Sequence, residues 1–147
     1  MAVEVLREVT DEVVEAFGRL LPQLSASAQP PDPVALARIV NSPVTTLLIA
    51  RTAAGDIAGT LTLAMFRIPT GIRAWIEDVV VDEAARGQGI GEELTQAALE
   101  VARASGAKTV DLTSRPSREA AGRLYEKVGF TQRSTRVYRY ALHSDAG

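Results

Sequence analysis

The chain contains no cysteine. Disulfides, thiolate metal sites and cysteine nucleophiles are therefore excluded. Histidine is almost as scarce, since His143 is the single one. It stands just beyond the last predicted strand, where a frayed tail is expected rather than a catalytic base. No grouping of His, Asp and Glu has metal-ligand spacing, so no metal is expected. Excess charge of one sign is missing too: 16 Lys and Arg stand against 18 Asp and Glu, a formal net charge of -2. That balance argues against a broad nucleic-acid surface, which needs a basic face, but leaves room for a local basic pocket around a phosphorylated ligand. No apolar run approaches the roughly 20 residues that cross a bilayer. The opening MAVEVLREVT places acids among its first apolar residues and has no signal-peptide core. A soluble, cytoplasmic protein with no nucleic-acid or membrane partner is the expectation.

What is present fits one domain over residues 1–147, with no internal repeat or low-complexity linker to divide it. Val3 to Arg7 alternates weakly as a first strand. Thr10 followed by Asp11 and Glu12 starts a helix, with a capping side chain and acids at the positive dipole end. Val13, Val14, Phe17, Leu20 and Leu21 carry it, and Pro22 is expected to end it. Leu24 to Pro31 is a Ser/Ala/Pro-rich loop. Asp32-Pro33 restarts a helix through about Val40. From Thr45 the period becomes two: Thr46–Arg51, Ile57–Met65 and Arg73–Asp82 form an antiparallel meander, turned at Ala53–Asp56 and at Pro69–Gly71. Ile90, Leu94, Ala97, Ala98 and Val101 mark a helix face, and Gly106 stops that helix. Lys108–Thr113 is a short strand, Ser117 can cap a last helix that Gly129 breaks, and Phe130–Ala141 reads as one or two closing strands. The fold class is α+β, a mixed and mostly antiparallel sheet flanked by helices.

Arg86-Gly87-Gln88-Gly89-Ile90-Gly91 joins the Val79-Val80-Val81 strand to an amphipathic helix. Glycines let the backbone turn tightly and approach a ligand without a Cβ in the way. The helix that follows begins with free N–H groups and a partial positive charge, which suits phosphate. Arg86 adds a formal charge beside this cradle. A P-loop would need Lys-Ser or Lys-Thr after the last glycine, where Glu92-Glu93 stands. A dinucleotide fingerprint would need G-x-G-x-x-G, and the chain has G-x-G-x-G. The residues alone describe an anion site for a phosphate-bearing cofactor.

Val79-Val80-Val81-Asp82 with Arg86 to Gly91 resembles the strand and pyrophosphate loop of the GNAT superfamily of N-acetyltransferases. Ala121-Gly122-Arg123-Leu124-Tyr125-Glu126-Lys127-Val128-Gly129-Phe130 is similar to that family's later helix and its LYEKxGF ending. The resemblance runs from about Thr46 to Tyr140. It implies acetyl-CoA or a related acyl-CoA as cosubstrate. Val79, Val80 and Val81 would pair with the pantetheine arm like an added strand, and Gly87, Gln88, Gly89, Ile90 and Gly91 would hold the pyrophosphate.

Amide formation from a thioester needs a neutral amine and a proton for the departing thiolate. An ordinary alkyl amine has a pKa of about 10.4 and a thiol about 8.5, so a base and an acid both help near neutrality. The resemblance makes Tyr125 the acid; without it, an aromatic packed on the sheet would be the plainer reading. Glu77, through a water, is the candidate base, since period two puts it on one face with Trp75 and Val79. Asp78 points to the opposite face unless a bulge intervenes, and since bulges re-aim side chains near active sites it joins Glu77 and Trp75 as a candidate substrate-site residue. Ile76-Glu77-Asp78 also resembles the triplet before the cofactor strand in the glucosamine-phosphate acetyltransferase branch. Trp75 either lines the acceptor pocket or fills the core. The family often has an asparagine where Arg118 stands; Arg118, with Arg115 and Arg123 nearby, either contacts a cofactor phosphate or is solvated surface.

The expected function is acetyl transfer to a primary amine of a small molecule. A protein or peptide acceptor, and a non-catalytic acyl-CoA-binding module, are the alternatives. The closing strands could leave an edge for a homodimer.

Overall fold

The computed structural model describes residues 2–115 and 118–143. The chain runs β1 (Ala2–Val5), α1 (Asp11–Leu24), α2 (Pro33–Asn41), β2 (Thr45–Arg51), β3 (Ile57–Ile68), β4 (Gly71–Val81), a 3-10 turn at Glu83–Ala85, α3 (Ile90–Ala104), β5 (Thr109–Asp111) and α4 (Glu119–Val128). The five strands lie in sequence order in one sheet. β1 to β4 pair antiparallel and β5 joins β4 in parallel, so the sheet is mixed and mostly antiparallel. No helix of the described residues is long and apolar enough to cross a membrane.

Local signals placed the helix ends. Thr10 accepts a hydrogen bond from the Val13 amide at 3.3 Å, and Asp32 one from the Ala35 amide at 2.8 Å. Past α3, Gly106 takes φ +87, and the Ala107 amide reaches back to the Ala102 carbonyl at 3.0 Å. That is a Schellman ending, which only a residue comfortable at positive φ makes cheaply.

Both faces of the sheet are covered, which is why β2 carries an unbroken apolar run. Leu48 and Ala50 join Leu61, Leu63, Ala74 and Ile76 against Ile90, Leu94, Ala98 and Ala102 of α3. Leu47 and Ile49 pack on the other face with Val13, Ala16, Phe17 and Leu20 of α1 and Leu36 of α2. A strand buried on both faces has no polar alternation to keep.

Two expectations are corrected. Pro22 does not end α1, which continues to Leu24 with the proline inside it. A proline in the last turn removes one intrahelical bond, and Leu21 and Leu24, packed on the α1-side core, hold that turn in place. Phe130–Ala141 forms no closing strand: no described residue after α4 belongs to a strand, and Thr131 to His143 are all exposed. A strand needs a partner's N–H and C=O groups, and local alternation cannot provide one. The expected cap at Ser117 lies outside the described residues.

Candidate active site

The site begins with an irregularity in β4. Thr62 pairs with Glu77 but Thr60 with Val80, so β4 carries one residue more than β3. The extra residue is at Asp78, the one non-glycine with positive φ (+50) among the described residues. Because side chains alternate along a strand, one inserted residue reverses which ones face each side. Ile76 packs toward α3, yet beyond the bulge Val79 and Val81 do so and Val80 turns to the α1 side. The expected shared face of Trp75, Glu77 and Val79 is thus corrected: Glu77 keeps company with Trp75 but not with Val79. Asp78 sits in the bulge itself, and both acids are exposed.

On its other side β4 meets β5 only from Arg73 to Trp75, opposite Thr109 to Asp111. Arg73 Nη2 donates to Asp111 Oδ2 at 2.8 Å, fastening the strands where they meet. From Ile76 to Val81 no strand of the described residues pairs with this side of β4. Backbone groups there are free to receive an extended ligand. Half-buried Trp75 stands where the two strands begin to part.

The open strand leads into the glycine loop. Asp82 caps the 3-10 turn by accepting from the Ala84 amide at 3.2 Å, and buried Ala85 anchors it. Gly87 (φ +85) and Gly89 (φ +78) then turn the chain, and a Cβ on either would meet no atom within 4 Å. Gly89 is the N-cap of α3 and offers no side chain to its first turn. The first amides of α3 therefore receive no side-chain cap, and uncapped helix-start amides suit an anion. Gly91 works differently. A Cβ there would lie 3.2 Å from Leu124 Cδ1 and 3.8 Å from Val81 Cγ2. Two glycines open the loop to a ligand, and the third lets α4 pack against it. Exposed Arg86 makes no ion pair among the described residues.

That packing positions Tyr125. Its helix is held by Leu124 on Gly91 and by Lys127 Nζ, 3.3 Å from Glu92 Oε2 in the first turn of α3. Phe130, packed on the α3-side core, meets the Tyr125 ring edge-on with centroids 5.8 Å apart. Burial raises the phenol's pKa above its ordinary value, and the charge of Arg118 partly opposes this. The hydroxyl therefore stays protonated at neutral pH, the form that can donate. Arg118 begins α4 without a side-chain cap bond. Its effect on Tyr125, seven positions on along one helix face, is an influence that the residue types alone did not reveal. Glu77 lies on the sheet face that bears α1 and α2, whereas α4 packs with α3 on the other. Base and acid candidates thus stand on opposite sides of the opening in the sheet. His143 is exposed at the end of the described residues, among which no group of three His, Cys, Asp or Glu could hold a metal.

Sequence reading missed the lock between α1 and the loop. The Arg19 guanidinium contacts the Asp82 carboxylate and donates to the Ile57 carbonyl at 3.1 Å. Gln23 reaches Asp82 at 3.4 Å and accepts from the Glu83 amide at 2.9 Å. The Ala84 amide, then Gln23 and Arg19, hold the Asp82 carboxyl below its ordinary pKa. A group lowered in this way supports the fold above its unfolded pKa, near 4, and that support is lost as pH falls through the folded value. Asp82→Ala should cost about 1 kcal/mol at neutral pH, a typical capping loss, and chemical denaturation should show the difference shrinking below pH 4. A constant difference down to strong acid would contradict the assigned role.

Three comparisons bear on this arrangement. The model of the acetyltransferase (GNAT) family matches residues 8–130. N-alpha-acetyltransferase 30 of Schizosaccharomyces pombe is 40% identical over 74 residues, covering 50% of this chain and 49% of that protein. Glucosamine 6-phosphate N-acetyltransferase 1 of Oryza sativa subsp. japonica is 40% identical over 65 residues, 44% of this chain and 38% of that protein. These matches therefore span half or less of the curated relatives. Among solved structures, an acetyltransferase of Trypanosoma brucei superposes with a TM-score of 0.77 at 29% identity, covering 96% of this chain and 99% of that one. With an open β4, a glycine cradle and a family match over most of its length, the chain belongs to the acetyltransferase (GNAT) family.

Proposed function

We propose that the protein transfers an acetyl group from acetyl-CoA to a primary amine of a small molecule. The observation that carries this reading is the open run of β4 leading into a loop whose Gly87 and Gly89 face unfilled space. An extended pantetheine chain fits beside unpaired strand backbone, and a pyrophosphate fits the amides that begin α3. Val79 to Val81 would hold the first, Gly87 to Gly91 the second, and Arg86 would add charge. In the transfer Glu77, through a water, takes a proton from the attacking amine. The new C–N bond forms as the C–S bond breaks, and Tyr125 gives its proton to the thiolate. The opposite placement of Glu77 and Tyr125 supports this division, with amine entering from the α1 and α2 face and thiol leaving toward α4.

A second acceptor class has one observation in its favour. The match to an N-alpha-acetyltransferase is longer than the match to a glucosamine 6-phosphate N-acetyltransferase, which supports testing peptide amines beside amino sugars. The test is thiol release from acetyl-CoA with glucosamine 6-phosphate, other small amines and short peptides as acceptors. Release stimulated most by small amines is expected, and release stimulated only by peptides would move the reading to the second class. If acetyl-CoA binds while no amine stimulates release, the acyl-CoA-binding module replaces both.

A further inference from the structure

Glu92 and Glu93 follow directly on the glycine loop, so two negative charges stand beside the place where an anion is proposed to bind. Position along α3 singles out the first of them. Gly89 is the N-cap, which puts Ile90, Gly91 and Glu92 at the first three helical positions. A glutamate at the third ordinarily folds back and accepts a hydrogen bond from the N-cap amide, as half of a capping box. The helix dipole favours a carboxylate there as well. Glu92 in that place would occupy an amide that a pyrophosphate needs.

Glu92 does not fold back. Helix bonding starts at the Glu93 amide, which donates to the Gly89 carbonyl at 3.1 Å, and among the described residues the Gly89 amide meets no protein acceptor. The Glu92 carboxylate turns instead to α4, where Lys127 Nζ donates to its Oε2 at 3.3 Å. The Glu92 side chain is 29% exposed and that of Lys127 72%, so the acid lies at the seam of the two helices and the base reaches it from solvent. Leu124 already seats α4 on Gly91, and a single exposed ion pair adds only modestly to such packing. Its larger effect is on where the charge of Glu92 goes.

We infer that Lys127 is a positioning residue for the cofactor loop: it draws the Glu92 carboxylate away from the N-cap of α3 and so keeps the loop amides free for pyrophosphate. Without Lys127, Glu92 becomes an internal anion that competes for the Gly89 amide from the same helical turn. An attached carboxylate of this kind opposes ligand binding and leaves the chemical step alone. The role in binding rests on the proposed acyl-CoA reading; the position of Glu92 does not.

Lys127→Met keeps the length of the side chain and removes its charge and its donor. It should weaken acetyl-CoA binding about 10-fold by calorimetry, the size expected when a hydrogen bond to a charged group must first be broken. KM for acetyl-CoA should rise in parallel while kcat at saturation stays within ~2-fold, as for a loss confined to binding. Lys127→Arg keeps the charge and should bind as tightly as the parent. Glu92→Ala/Lys127→Met removes the competing carboxylate and should return affinity to within ~2-fold of the parent, although the ion pair is gone. A lysine that only holds α4, or that touches the phosphates itself, predicts no such recovery. A second readout needs no ligand. Amide exchange followed by NMR should be slowed at Gly89 in Lys127→Met, and not in the parent or the double variant, because a hydrogen-bonded amide is protected. A parent that fails to bind acetyl-CoA would overturn the proposed function, and the exchange rates would still decide the placement of Glu92. Undiminished affinity in Lys127→Met, no recovery in the double variant, or a Gly89 amide that exchanges alike in all three would each overturn the inference.

Discussion

Gly89→Glu should abolish acetyl-CoA binding while leaving the protein folded. Two effects act at this position. Gly89 has φ +78, a region that costs a residue with a side chain about 1–2 kcal/mol. The added carboxylate would also stand at the start of α3, where the phosphates are proposed to sit, and would set one anion against another. Space is not the obstacle, since a Cβ at Gly89 meets nothing within 4 Å. Folding should therefore survive, and circular dichroism with a thermal melt will show whether it does. Calorimetric titration should show acetyl-CoA affinity reduced at least ~100-fold, equivalent to about 2.7 kcal/mol. Gly89→Ala introduces the strain without the charge and should lose much less. Equal losses in the two variants would mean that backbone geometry alone decides binding. Undiminished affinity in Gly89→Glu would remove the loop from the site.

Tyr125→Phe should lower kcat by about 100-fold or more, the usual worth of a positioned general acid. Its KM for acetyl-CoA should change little, because Leu124 and Lys127, not the phenol oxygen, hold α4 to the loop. The edge-on contact with Phe130 needs only the ring, so stability should also be nearly unchanged. The pH profile supplies a separate check. Burial raises the phenol above its ordinary value of 10.0, so the acid form persists below that pH and is lost only as pH rises through the raised value. In the parent no alkaline fall in kcat assignable to Tyr125 should therefore appear below about pH 9, since an ordinary phenol titrates near 10. A fall centred lower and absent from Tyr125→Phe would show that the tyrosine is more acidic than its burial allows. Unchanged kcat in the variant would leave Tyr125 as a packing residue.

Much of this site is legible in the order of the residues, for local reasons. Thr10 and Asp32 cap because a short oxygen-bearing side chain can meet free amides two or three residues on. Glycines at 87 and 89 announce a tight turn of the backbone, and both residues make it at positive φ. Gly91 groups with them in the sequence although its backbone is ordinary, and its role is hidden there because Leu124 comes from thirty-three positions away. The bulge at Asp78 is foreseeable only as a condition. Nothing in Glu77-Asp78-Val79 fixes the register with Thr60 and Thr62, which is a property of two strands. The closing strands fail for the opposite reason. Val137 to Leu142 has the right period, but pairing depends on an edge that the described chain does not bring to it.

By itself the sequence determined the order of the elements from β1 to α4, the helix starts at Thr10 and Asp32, the stop at Gly106 and a glycine-rich turn between a valine strand and a helix. These follow from side-chain period and local backbone preference, which act over a few residues. Only the tertiary structure decided that β4 gains a residue at Asp78, that Glu77 and Val79 part company, that β5 separates from β4 after Trp75, and that Arg19 of α1 grips Asp82 at the mouth of the loop. Each of these depends on which distant backbone or charge arrives alongside, and that is settled by packing both sheet faces at once.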